Sequence, residues 1–144
     1  MLVNIKKLNP ASIIPTSGSK LSAGYDLHAC LDSPVIIRAH ETEKIGTGLS
    51  VEIPEGYFGA IFARSGLASK NGIRPANCVG VCDCDYRGEY IVPLHNDTDE
   101  DYTVNHGDRI AQLILLPYLE IEFNEVSDLS ETSRGIQGFG STGK

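Results

Sequence analysis

"VGVCDCDYRGEY", residues 79–90, sets two aspartates two positions apart in a run that otherwise alternates like a β-strand. Side chains of a strand share a face at every second residue, so Cys82 and Cys84 point one way and Asp83 the other. Tyr86, Arg87 and Gly88 follow at once. These residues alone fit a carboxylate that does chemistry, a pair of thiolate metal ligands, or an ordinary hairpin. What they do decide is the period, which is that of a strand.

Working outward, the same period recurs in short pieces. Strands are expected over 3–8, 35–38, 44–53, 57–62, 78–84, 89–94, 110–116 and 119–126. Each is bounded by Gly, Pro, Asn or Asp, and none sustains a helical period over three turns. "PEG" at 54–56 and "NHGD" at 105–108 read as tight turns. Pro93, inside an apolar run, points to an edge strand or a bulge. The one helical candidate is "RSGLASK" at 64–70. "DTDED" at 97–101 reads as a solvated hairpin tip, because a calcium loop needs a glycine in its bend. The expected fold is all-β, a sandwich or jelly roll.

The chain of 144 residues suits a single domain. It divides by composition into a β domain over 1–126 and a glycine-rich arm over 127–144, which cannot bury enough apolar surface to order itself unaided. A net charge of −7 argues against a broad nucleic-acid surface, though not against a small polyanion held by a few arginines. No stretch approaches the ~20 apolar residues of a membrane helix, and "MLVNIKK" lacks the layout of a secretory signal. A soluble, cytoplasmic protein (host-cell cytoplasm for a viral source) is expected. The four cysteines, 30, 78, 82 and 84, have no zinc-ligand spacing and read as reduced, mostly buried small residues. Asn96-Asp97-Thr98 matches a glycosylation sequon that reads as incidental.

Several stretches could serve a phosphate chain. "GFGSTGK" at 138–144 has the first half of a P-loop, yet no helix follows Lys144 to complete one. Its glycines still allow backbone N–H groups to converge on an anion, and Phe139 suits a lid over a flat ligand. Arg64, Ser65 and Gly66 stand at the mouth of the short helix, where a capping serine beside a surface arginine is the plain alternative. Asp108, Arg109 and Gln112 lie at a turn and the strand after it, and Asp26 in a polar–apolar alternation. Singly, each is weak.

In order, however, "AGYDLHA" (23–29), "ARSGLA" (63–68), "NCVGVCDCDYRGEY" (77–90), "GDRIAQL" (107–113) and "SRGIQGFGSTGK" (133–144) resemble the five motifs of the trimeric dUTPases. The resemblance implies a jelly-roll-like β fold, a homotrimer with active sites between subunits, and Mg²⁺-assisted hydrolysis of dUTP to dUMP and pyrophosphate. That reaction limits uracil incorporation into DNA and supplies dUMP for dTMP synthesis. It implies Asp83 as the base for the attacking water, with Asp85 a turn residue. Tyr86 packs on the deoxyribose and excludes a 2′-hydroxyl. Asn77, with Gly80 and Val81, reads uracil through the hairpin backbone. Arg64, Ser65, Gly66 and Gln112 hold the phosphates, and Arg134 clamps the γ-phosphate. Phe139 stacks on the base, with Gly140 and Ser141 completing the arm's contacts. Asp26 is implied near the hydrated Mg²⁺, which is otherwise held by the triphosphate. No nucleic-acid or membrane partner is implied.

Three of the motifs depart from the family pattern. Ala63 stands for a proline or glycine, and Cys82 and Cys84 for an apolar residue and a serine. Gln137 replaces a glycine, costing ~1 kcal/mol if its φ is positive. The nearest rival, a dCTP deaminase of the same fold, would need Glu89 at the base; a catalytically silent binding module would not keep Asp83, Tyr86 and Arg134.

Overall fold

A computed structural model of the chain describes residues 1–138. Among them are twelve short strands and one helix: β1 (Asn4–Lys7), β2 (Thr16–Ser17), β3 (Tyr25–His28), β4 (Val35–Ile37), β5 (Thr42–Gly46), β6 (Leu49–Glu52), β7 (Tyr57–Phe62), α1 (Ser65–Asn71), β8 (Ile73–Pro75), β9 (Val79–Cys82), β10 (Ile91–Asn96), β11 (Tyr102–Val104) and β12 (Arg109–Pro117). The largest sheet has the order β2-β3-β12-β7-β9; the others are β5-β10-β8, β1-β6 and β11-β4. Leu27, Ile61 and Leu113 of the large sheet meet Ile45, Val92 and Leu94 of β5 and β10, with Ile37 and Val104, in one core. This is the expected all-β, jelly-roll-like architecture.

Both predicted turns form, each with a glycine of positive φ at its third position. Tyr57 N–H donates to the Pro54 carbonyl at 3.2 Å with Gly56 at φ 80°, and Asp108 N–H donates to Asn105 at 3.2 Å with Gly107 at φ 83°. The first launches β7 and the second β12, the central strand of the large sheet. A bulge between Arg109 and Ala111 lets β12 bury Ile110 and Ala111 in succession. The helix begins with Arg64 as its N-cap and ends at Gly72, whose φ of 65° lets its N–H reach the Ala68 carbonyl.

Several expectations are corrected. The single strand over 44–53 is two, because Gly48, at φ 63° and packed against Ser12 and Cys30, redirects the chain from the β10 sheet to β1. Residues 119–126 form no strand; Leu119, Ile121 and Phe123 stand exposed with no ladder partner among the described residues. Strands β2, β3, β8 and β11 were not among those expected; each is only two to four residues long, too short to show a period. Pro93 sits in a central strand, paired with Lys44, but beside the point where β8 stops. There its carbonyl accepts from Ala76 N–H, and its missing N–H leaves no donor unmet. Cys78 is exposed, against the expected burial, and all four thiols are free.

The acidic run 97–101 is a bridge between sheets and no hairpin tip, since β10 and β11 belong to different ladders. Asn96 anchors it. That side chain, fully buried, donates to the carbonyls of Ile37 (3.1 Å) and Glu100 (2.7 Å) and accepts from Thr98 N–H (3.0 Å) and Oγ1 (2.7 Å). A sequon asparagine so placed offers no amide to a glycosyl donor. Asp97 takes a bidentate pair from Arg74, at 2.7 and 2.9 Å. Asn96→Ala leaves the buried Ile37 carbonyl without this donor and Thr98 N–H without its acceptor, while the Glu100 carbonyl keeps Thr98 Oγ1 at 3.0 Å; it is expected to lower unfolding free energy by about 1–3 kcal/mol, measured by urea denaturation of the folded protein.

Candidate active site

The hairpin from Pro75 to Pro93 encloses a cleft of about 250 Å³, lined in part by Asn77, Gly80, Val81, Asp83, Tyr86 and Glu89. Sequence physics builds it directly. Strand β9 ends at Cys82, and the chain then turns, with Tyr86 N–H donating to the Asp83 carbonyl at 3.2 Å. Asp83 and Asp85 therefore do not share a strand face. Asp83 lines the cleft and Asp85 does not, although the two share a neighbouring surface hollow, and the Asp85 carboxylate accepts no hydrogen bond among the described residues. The turn rests on backbone, and Gly88 is required beneath Tyr86, where any Cβ would meet the tyrosine hydroxyl and ring. Tyr86 is 44% exposed and its hydroxyl donates to the Glu89 carbonyl at 3.0 Å. The Glu89 carboxylate accepts Gly48 N–H at 2.7 Å and packs on Gly46, an arrangement that holds the β5–β6 crossing together.

A second group forms elsewhere. Arg64 Nε donates to Asp26 at 2.8 Å, and Arg109 Nη1 to the other oxygen of that carboxylate at 3.2 Å. Gln112 donates to the Ala63 carbonyl at 2.8 Å and lies across Gly24, which has no room for a side chain. Ser65 and Gly66 are exposed at the start of α1. No side chain caps the helix, so the capping role open to Ser65 is not taken, and a Cβ on Gly66 would meet nothing. One carboxylate against two guanidiniums leaves this corner of an acidic protein locally cationic. His28, in the same corner, is held below its ordinary pKa chiefly by burial; Asp26 opposes this, and Arg109 and Arg64 add to it.

The two groups lie apart on one sheet. The register Asp26–Gln112–Phe62–Val79 forms a row across four strands, and Asp83 comes four residues past Val79. Three strand spacings across and four residues along separate Asp26 from Asp83 by roughly 20 Å. A single chain thus brings together Asn77, Gly80, Val81, Asp83 and Tyr86, and separately Asp26, Arg64, Ser65, Gly66 and Gln112, without joining the sets. Arg134 is exposed in a local turn, its Nε donating to the Gln137 carbonyl at 3.0 Å. Gln137 is not among the residues of positive φ, so the cost expected there does not arise. Phe139, Gly140 and Ser141 lie outside the described residues. Sequence reasoning gave Arg109 no role beyond its turn, and gave Tyr90 none; Arg109 could have been found from its charge beside Asp108, Tyr90 only from its contacts.

For a divalent cation the donor set is thin. No cluster of three or more His, Cys, Asp or Glu among the described residues could cage one. Both Asp26 oxygens are already engaged by arginines. Asp26 stands here as the shared ion-pair partner of Arg64 and Arg109.

Comparison with known proteins follows the same line. The dUTPase family profile matches residues 11–143. The chain is 48% identical to the deoxyuridine 5'-triphosphate nucleotidohydrolase of Nautilia profundicola over 144 residues, covering 100% of both. It is 50% identical over 139 residues to the Arabidopsis thaliana protein of that name, covering 96% of this chain and 81% of that one. Among solved structures, a point mutant of the dUTPase of Staphylococcus bacteriophage 80alpha with dUpNHpp superposes at a TM-score of 0.90, with 27% identity and 99% of each chain covered. A mutant dUTPase of phage phi11 of S. aureus, solved for its coordination of a structural Mg(II) ion, superposes at 0.80 with 25% identity, covering 89% of this chain and 98% of that one. With motifs, fold and full-length relatives in agreement, the chain belongs to the dUTPase family.

Proposed function

We propose that this protein hydrolyses dUTP to dUMP and pyrophosphate, and that Asp83 is its general base. The observation that carries the reading is the cleft itself, where an unengaged carboxylate, an exposed tyrosine ring and a strand edge meet. Among the described residues strand β9 pairs with β7 alone, so its other edge can offer backbone groups to uracil between Asn77 and Val81. A donor–acceptor pattern matched to uracil rejects cytosine, whose pattern at position 4 is reversed. The Tyr86 ring lies against the deoxyribose and leaves no space for a 2′-hydroxyl.

Asp83 accepts a proton from the attacking water as its oxygen bonds the α-phosphorus and pyrophosphate departs. Arg64, Ser65, Gly66 and Gln112 bind the phosphates, with Arg109 sharing the task of Arg64. Asp26 orients both guanidiniums; any water-mediated link to Mg²⁺ would share an oxygen with them. Mg²⁺ bound with the triphosphate supplies neutralisation of its charge.

The 20 Å scale of the gap between the two groups supports assembly of each site from more than one subunit of a homotrimer. So does the exposed apolar alternation of Leu119, Ile121 and Phe123, which another copy would cover. The arm over 127–144 then closes on the site, Arg134 on the γ-phosphate and Phe139, Gly140 and Ser141 over the nucleoside. Among the described residues no helix is long and apolar enough to cross a membrane, in keeping with a cytoplasmic enzyme.

Three measurements check this reading. Purified protein with Mg²⁺ is expected to release pyrophosphate from dUTP and to turn over UTP, dCTP and dTTP far more slowly; comparable use of UTP would remove the role of Tyr86, and ammonia from dCTP would restore the deaminase. Asp83→Asn is expected to lower kcat by about 10²–10⁴-fold with nucleotide affinity kept, and Asp85→Asn to cost less; the reverse ranking in steady-state kinetics would make Asp85 the base. Deleting 133–144 is expected to leave thermal stability nearly unchanged and activity down by orders of magnitude. Co-refolding that truncation with Asp83→Asn chains is expected to restore part of the activity. No recovery in verified mixed trimers would place arm and base on one chain.

A further inference from the structure

A plate that excludes a hydroxyl must not tip. The extra oxygen of a ribose is one heavy atom, and a ring free to swing by an ångström would admit it. Tyr86 stands on a loop and is 44% exposed, so its own burial does not fix it. Its hydroxyl is tethered to the Glu89 carbonyl, and Gly88 yields the space beneath it. Those two contacts hold the end of the side chain and leave the ring face open to rotation.

We propose that Tyr90 is the positioning residue that fixes this ring, and so sets discrimination between deoxyribose and ribose. The inference rests on the reading of Tyr86 as the sugar plate. Its basis is geometric. The rings of Tyr86 and Tyr90 stack with centroids 6.2 Å apart and planes 28° from parallel. Tyr90 is 1% exposed and cannot move with the loop. Its N–H donates to the Leu49 carbonyl at 2.8 Å, and its own carbonyl accepts Thr47 N–H at 3.2 Å and Thr47 Oγ1 at 2.7 Å. The plate is thereby referred to the crossing between β5 and β6, which Glu89 also braces through Gly48 N–H.

Tyr90 contributes through its ring. Its hydroxyl is buried beside the Cys82 thiol, and burial pushes its pKa upward, with that thiol adding to the shift.

The test is kcat/KM for dUTP and for UTP in the wild type, Y90F, Y90L, Y90M and Y86A, with thermal melts to verify folding. Y90F, which keeps the ring, is expected to keep the dUTP-to-UTP ratio. Y90L, and Y90M where leucine leaves the fold unstable, are expected to lower it by up to about tenfold, the upper worth of an aromatic pair expressed as a rate ratio. The change is expected mainly as a gain on UTP. If Y90L and Y90M keep the ratio while Y86A loses it, Tyr86 is the plate and Tyr90 does not position it. If Y90F falls as far as Y90L, the hydroxyl acts and the ring account is overturned. A ratio unchanged in Y86A removes the plate itself, and the role of Tyr90 with it.

Discussion

Everything functional in this chain hangs on the register of β12. Gln112 lies opposite Asp26 on one neighbour and Phe62 on the other, and Phe62 in turn lies opposite Val79. That row seats the corner of Asp26, Arg64 and Arg109 at one end of the sheet and starts β9 so that Asp83 emerges at the other. Sliding β12 by one residue would turn Gln112 to the opposite face and break the link from Ala63 to Gly24. The bulge at Ile110 pins the register, because it buries two successive residues that a regular strand could not.

Charge is organised on the same principle of local exception. The chain carries a net −7, which repels polyanions at long range. Around Asp26 the balance reverses, with Arg64 and Arg109 sharing one partly buried carboxylate. The arginines are held in place by a charge that cannot cancel them both. The surplus positive charge at this corner is open to an anion, on a chain whose net charge is acidic.

Legibility followed the range of the interactions. β7 and α1 were readable because turn glycines and local period define them. The break within 44–53 was not, since Gly48 turns the chain for reasons that include Ser12 and Cys30, distant in sequence. The alternation over 119–126 is a true strand signal, but a strand needs a neighbour and this chain alone offers none among the described residues. The family was legible through five motifs in order, whose residues the structure divides between two groups. Their grouping was not: the bonds from Asp26 to Arg64 and Arg109 span 38 and 83 positions, and no spacing rule reaches that far.

The turn between β8 and β9 shows how local strain can be held by distant geometry. Val79 N–H donates to the Asn77 carbonyl at 2.6 Å, closing a three-residue turn around Cys78, whose φ is 61°. A non-glycine in such a turn costs on the order of 1–3 kcal/mol and persists only where its surroundings leave no alternative. Here they leave none. Cys78 N–H donates to Pro75, Ala76 N–H donates to Pro93, and β9 is locked to β7 immediately afterwards. Pro93 matters twice in this. Having no N–H, it cannot prolong pairing with β8, so the chain must leave the ladder there; having a carbonyl, it still fixes the departing strand. The proline that ends one ladder thus opens the cleft whose other wall is the edge of β9.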